Sequence, residues 1–169
     1  MNFSELNISD RTVERLEKHG ITEPTEVQKK AIPKVFEGKD LMVESETGSG
    51  KTLAFSLPIM EQVHGSETQA LILSPTRELA KQITQEIEST AGKPVETVTI
   101  YGGVSYEPQI EGAKKANIVV GTPGRVLDLL GKGKLKAGNI DYFVLDEADR
   151  MLDMGFQDEL EEIISYLPD

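Results

Sequence analysis

Ser45-Glu46-Thr47-Gly48-Ser49-Gly50-Lys51-Thr52 is the segment from which the rest of the chain can be read. Residues 40–44, apolar at Leu41-Met42-Val43, read as a β-strand before it, and a helical pattern over 51–63 follows it. Glycines at such a junction let the backbone curl, so that successive amides and the helix N-terminus face an anionic oxygen while the lysine reaches the terminal phosphates. The hydroxyl of Thr52 is of the kind that ligates Mg2+. The strict pattern G-x-x-x-x-G-K-[ST] fails at its first glycine, where Ser45 stands. A plain glycine-rich connector is the alternative, and the strand before and helix after argue against it.

Outward from this loop, short β-branched or aliphatic runs alternate with helical patterns, the signature of βα units around a parallel sheet. Strands are predicted over 40–44, 70–74, 95–101, 117–121 and 142–146. Helices are predicted over 51–63, 78–90, 106–114, 124–130 and 157–167, the first kinked at Pro58. The fold class is α/β, an open parallel sheet with helices on both faces. A helical prelude over 1–38 precedes it: Ser9 caps a helix that Gly20 ends, and Thr25 opens another, interrupted at Pro33. With no internal repeat or flexible linker, residues 1–169 read as one domain. In such sheets ligands gather beyond the carboxyl ends of the strands.

The 169 residues, 38% apolar and 28% charged, suit a single folded domain. No run approaches the roughly 18 apolar residues of a membrane span, and the first residues lack the basic start and apolar block of a secretory signal. The absence of cysteine excludes disulfides and thiolate metal sites and fits a cytoplasmic location. A net charge of −11 opposes bulk electrostatic binding of nucleic acid. However, residues 146–169 hold nine acidic residues against Arg150 alone, a net −8 of that total. Any nucleic-acid contact must therefore use a few placed groups upstream. His19 and His64 stand apart from each other and from acidic partners, so no metal site is expected on them. Asp158 to Glu162 read as a solvated helix face, and Lys132, Lys134 and Lys136 form a small basic run that could approach nucleic acid or merely be soluble.

Near the end of the predicted strand 142–146 come Asp146-Glu147-Ala148-Asp149. An aspartate at a strand end can hold Mg2+, usually through water, and a neighbouring carboxylate can orient and deprotonate an attacking water. Alone the string is as often solvated surface as a site. Paired with a phosphate loop in this chain order it becomes specific, because phosphoryl transfer needs both a cradle and a metal anchor.

These two segments, with Pro75-Thr76-Arg77-Glu78-Leu79-Ala80, Gly102-Gly103, Thr122-Pro123-Gly124-Arg125 and the prelude string Gly20-Ile21-Thr22-Glu23-Pro24-Thr25-Glu26-Val27-Gln28, resemble the ordered motifs of DEAD-box RNA helicases. The resemblance implies a RecA-like P-loop domain with a Q-motif segment in front, ATP and Mg2+ as cofactors, and RNA, single-stranded or duplex, as a partner held without regard to sequence. Gln28 would read the adenine edge, Phe3 would stack on the ring, and Thr25 would tie the Q motif to the phosphate loop. Thr47, Gly48, Ser49, Gly50, Lys51 and Thr52 would hold phosphate and metal, Asp146 the metal through water, and Glu147 the hydrolytic water. Asp149 would couple neighbouring motifs. Pro75, Thr76, Arg77, Gly102, Gly103, Thr122, Pro123, Gly124 and Arg125 would line the RNA. Apart from the resemblance, these last segments read as helix caps.

Two departures from the family pattern carry expectations. Ser45-Glu46 stands where the family commonly has Ala-Gln, and an extra carboxylate facing the phosphates would weaken nucleotide affinity. The family's Ser-Ala-Thr motif and second RecA-like domain do not occur in these 169 residues. The implied sheet therefore has a gap between the phosphate-loop strand and the DEAD strand. The half alone is expected to hydrolyse ATP negligibly; a non-catalytic, nucleotide-dependent RNA clamp or docking module is the alternative, and a related DNA helicase a weaker one.

Overall fold

A computed structural model of the chain describes residues 1–38 and 50–168. The predicted strand 40–44 and the loop residues Thr47, Gly48 and Ser49 lie outside them, as does the expected gap beside that strand. The described chain resolves into two compact units, Met1–Gln62 with Gln85–Pro94, and Val63–Thr84 with Val95–Asp169.

The first unit is helical: a 3-10 turn (Ser4–Leu6), then α1 (Asp10–Lys18), α2 (Glu26–Phe36) and α3 (Lys51–Gln62). Ser9 caps α1 by accepting from the Thr12 amide, and the hydroxyls of Ser9 and Thr12 both donate to the Glu61 carboxylate, at 3.1 and 2.9 Å. Thr25 and Gln28 close a reciprocal capping box at the start of α2, each side chain bonding the other's backbone amide. The expected interruption at Pro33 does not occur. The helix runs on to Phe36, because one proline removes a single amide donor and the turn after it is held by the Glu37 amide on the Pro33 carbonyl at 3.0 Å. Likewise α3 continues through Pro58, and its residues 53–60 are all buried, as befits a helix apolar all round.

In the second unit β1 (Ala70–Leu73), β2 (Thr97–Ile100), β3 (Ile118–Gly121) and β4 (Tyr142–Leu145) form a parallel sheet in the order β2-β3-β1-β4. β1 and β3 are buried along their whole length, the pattern of strands covered on both faces. Connecting helices are α4 (Arg77–Thr90, shared between the units), α5 (Glu107–Ala113) and α6 (Pro123–Gly131), followed beyond β4 by α7 (Ala148–Asp153) and α8 (Gln157–Tyr166). Leu71, Leu73 and Val119 join Val126, Leu129, Met151 and Ile163 in one core cluster, so β1 and β3 share apolar packing with α6, α7 and α8. The short α7 was not anticipated: its six residues, rich in charge, carry too little apolar periodicity to read as a helix.

Among the described residues no helix is long and apolar enough to cross a membrane.

Candidate functional site

Strand register sets the site. Leu73 pairs with Gly121 and with Leu145, and Ile100 pairs with Gly121, so all four strands end in one row. One further rung fixes the residues beyond it: the amides of Ser74, Thr122 and Asp146 donate to Gly121, Ile100 and Leu73 carbonyls at 2.9, 2.9 and 2.8 Å. Across this edge, Gly102-Gly103 therefore neighbours Thr122 to Arg125, which neighbours Pro75 to Arg77, with Asp146-Glu147 last in the order of the described strands. Four segments separated by up to some seventy residues in sequence meet on one side of one sheet.

Local chemistry differs along the edge. Thr76 accepts from the Leu79 amide at 3.2 Å and so caps α4, while its own hydroxyl proton remains to be donated. Thr122 occupies the N-cap of α6 but makes no side-chain cap bond. Pro75 and Pro123 are buried, whereas Arg77, Gly102, Gly103 and Gly124 are exposed. Gly103 has φ of +84°, and a Cβ at Gly102 or Gly103 would meet nothing within 4 Å. A bulky ligand can therefore approach that backbone closely.

Charge concentrates here against the acidic background. Arg77 and Lys81 lie over the Tyr101 ring at 5.4 and 5.2 Å, and Arg125 and Lys132 over the Tyr106 ring at 3.9 and 4.2 Å. The Tyr106 hydroxyl donates to Asp128, which with the nearby Lys132 ammonium holds that carboxyl below its ordinary range. Lys134 and Lys136, by contrast, line a hollow with Ser66 and Thr68, residues that precede β1, and so belong to the opposite edge of the sheet.

At the outer strand end Asp146 is 6% exposed, and Glu147 after it has φ 55° and ψ 52°. Left-handed backbone at a non-glycine residue costs on the order of 1–3 kcal/mol and concentrates where a side chain must be aimed. Asp149 lies exposed in the first turn of α7.

In the helical unit Lys51 and Thr52 begin α3, both half-buried, directly after Gly50. Gly50 has φ of +87°, and a Cβ there would sit 2.4 Å from Gln28 Nε2. Only glycine fits. Gln28 is 1% exposed: Oε1 accepts from the Thr25 amide at 2.9 Å, and Nε2 donates to the Gly50 carbonyl at 3.1 Å. The tie between the prelude and the end of the phosphate loop is thus made by Gln28, with Thr25 Oγ1 and Cγ2 beside it. Phe3 is 1% exposed, a core side chain of the prelude rather than an open ring face. His19 is the C-cap residue of α1, Nε2 against the Ser89 carbonyl at 3.2 Å. No group of three or more potential metal-ligating side chains occurs among the described residues.

Within the helical unit, the ammonium at the start of α3 directly after Gly50 is of the kind that suits phosphate; within the sheet unit, the buried carboxylate after β4 is of the kind that suits a metal-bound water. Sequence reading missed Tyr101, Tyr106 and Gln109 as parts of the edge, since nothing local marks a tyrosine or a glutamine that finds its partners across strands.

Fold and edge together define a RecA-like α/β domain. The chain belongs to the DEAD/DEAH box helicase family, whose profile matches residues 25–169. A curated relative from Methanocaldococcus jannaschii, named "Probable ATP-dependent RNA helicase", is 46% identical over 168 residues, covering 98% of this chain and 46% of the relative. The crystal structure of a DEAD box protein from the hyperthermophile Methanococcus jannaschii superposes with TM-score 0.95 at 46% identity, over 99% of this chain and 47% of that one. A hypothetical ATP-dependent RNA helicase from Sulfolobus tokodaii matches at TM-score 0.87 and 36% identity, over 94% of this chain and 47% of its own. The chain spans about half the length of these relatives.

Proposed function

We propose that this chain is the N-terminal RecA-like half of a cytoplasmic RNA-dependent ATPase, binding Mg-ATP and the RNA backbone, and that the whole protein separates short RNA duplexes locally. The observation that carries the reading is the shared register row: the Pro75, Gly102, Thr122 and Asp146 segments leave the same edge of the sheet.

In this reading Thr47, Gly48, Ser49, Gly50 and Lys51 hold the phosphates, Thr52 and Asp146 hold the metal, largely through water, and Gln28 with Thr25 serves the adenine side. Phe3 is the ring assigned to adenine; buried as it is, stacking requires its cover to open. Mg2+ held by Thr52 and Asp146 would supply charge neutralisation to the phosphates. Glu147 orients the attacking water and accepts its proton, and Asp149 couples the DEAD segment to its neighbours. Thr76, Thr122, Arg77 and Arg125, with Pro75, Gly102, Gly103, Pro123 and Gly124, meet sugar and phosphate, which explains indifference to base sequence. The arginine that stabilises the transferring phosphoryl group is assigned to the other half, a contribution of about 10³ to 10⁵ in rate.

Turnover of Mg-ATP by this chain with RNA, measured with and without the other half in trans, tests the reading. Negligible hydrolysis alone and recovery on mixing are expected, whereas robust turnover by the chain alone overturns it. In the reconstituted protein Glu147→Gln should lower ATP hydrolysis by about 10² to 10⁴ while nucleotide still binds. An unchanged rate would instead favour a non-catalytic clamp.

A further inference from the structure

We infer that Gln109 is a positioning residue that sets Arg125 for the RNA backbone and locks the Gly102-Gly103 and Thr122 to Arg125 segments into one surface. The inference rests on the RNA-binding reading above.

Gln109 lies on α5 and is only 5% exposed, yet both ends of its amide are used. Nε2 donates to the Tyr101 carbonyl at 3.0 Å, immediately before the glycine pair, and Oε1 accepts from Arg125 Nη1 at 3.2 Å. Arg125 is held twice more: Nη2 donates to the Val104 carbonyl at 2.9 Å, and the guanidinium lies 3.9 Å from the centre of the Tyr106 ring. One buried side chain therefore spans the loops after β2 and β3. A guanidinium has five N–H donors, and these bonds use two, leaving three for an incoming phosphate.

The chemistry of the holder matters. An exposed arginine surrenders much rotamer freedom when it binds, and an arginine already held does not. A carboxylate could hold it equally firmly, but would cancel the positive charge that phosphate needs. A neutral amide orients the cation and leaves its charge intact. The donation to Tyr101 further requires an N–H, which a carboxylate lacks. Glutamine at 109 meets both demands.

The test is an anisotropy titration of a labelled single-stranded oligouridine across a salt series, with Gln109→Met, Gln109→Glu, Arg125→Ala and both double variants beside the unaltered protein. Gln109→Met keeps the side chain's bulk and removes its bonds. It should weaken RNA binding about tenfold, the scale of a lost bond to a charged group, with nucleotide affinity unchanged. Gln109→Glu should also lower the salt dependence by about one phosphate contact. In the Arg125→Ala background neither change should weaken binding further. Equal weakening in both backgrounds would assign Gln109 a purely structural role and overturn the inference, as would no effect of Gln109 variants where Arg125→Ala does weaken binding. If Arg125→Ala itself leaves RNA binding intact, Arg125 is no RNA contact and the underlying reading fails as well.

Discussion

Single residues in this chain show how burial alone can set an electrostatic property. Glu86 sits half-buried on α4, and loss of hydration raises its carboxyl above the ordinary value. The folded state therefore binds this proton more tightly than the unfolded state. Ionisation costs stability above the folded value, and the cost disappears as pH falls below the unfolded one. Glu86→Gln should raise the melting temperature at neutral pH, with the advantage shrinking on acidification through the carboxylate range. Thermal melts of both proteins at a series of pH values check this, and an unchanged difference from neutral to acid pH would show that burial of charge is not the cause. Glu147 is the opposite case, in which backbone strain rather than burial marks the residue. Neither property is written in the neighbouring sequence: Glu86 looks like any helix-face glutamate, and a left-handed glutamate has no compositional signal.

At the scale of elements, the junction of β3 and α6 shows how tightly the edge is built. A Cβ on Gly121 would lie 2.5 Å from Val126 Cγ2 and 2.7 Å from the Ile100 carbonyl oxygen. One of those contacts is backbone and the other is a fully buried side chain of α6, so neither yields cheaply. Gly121→Ala should destabilise the protein by about 1–3 kcal/mol, read by chemical denaturation. It should also weaken RNA binding, because relief of the clash shifts the start of α6 that carries Thr122 to Arg125. Element identity was largely legible beforehand. The four described strands and the helices around them follow the alternation of aliphatic runs and polar turns, with ends displaced by a residue or two. What failed was Pro33, where a local rule about helix breaking lost to the packing of α2, and α7, where six residues, three of them charged, follow a strained turn.

Across the whole molecule, the net charge of −11 and the cationic edge make a quantitative pair. Of the four cations over Tyr101 and Tyr106, Lys132 is paired with Asp128, which leaves three, Arg77, Lys81 and Arg125. If these carry the RNA contact, the logarithm of the single-strand binding constant should fall with the logarithm of salt concentration with a slope of about −2. A slope near zero would mean that uncharged contacts dominate. A much steeper one would mean that cations elsewhere take part, such as Lys134 and Lys136 on the other edge.

Glycine placement, hydrophobic period and the order of the polar segments are local properties, and from these the sequence alone determined an α/β chain with a glycine-rich segment before Lys51 early and an acidic strand end late. Strand order is not local. The arrangement β2-β3-β1-β4 follows from how each strand and its helix bury apolar surface against all the others, a global optimum that no window of residues encodes. That order alone brought Gly102 beside Thr122 and Thr122 beside Pro75. The same long-range packing placed Gln109 between Tyr101 and Arg125, buried Phe3, and turned both ends of the Gln28 amide toward protein partners.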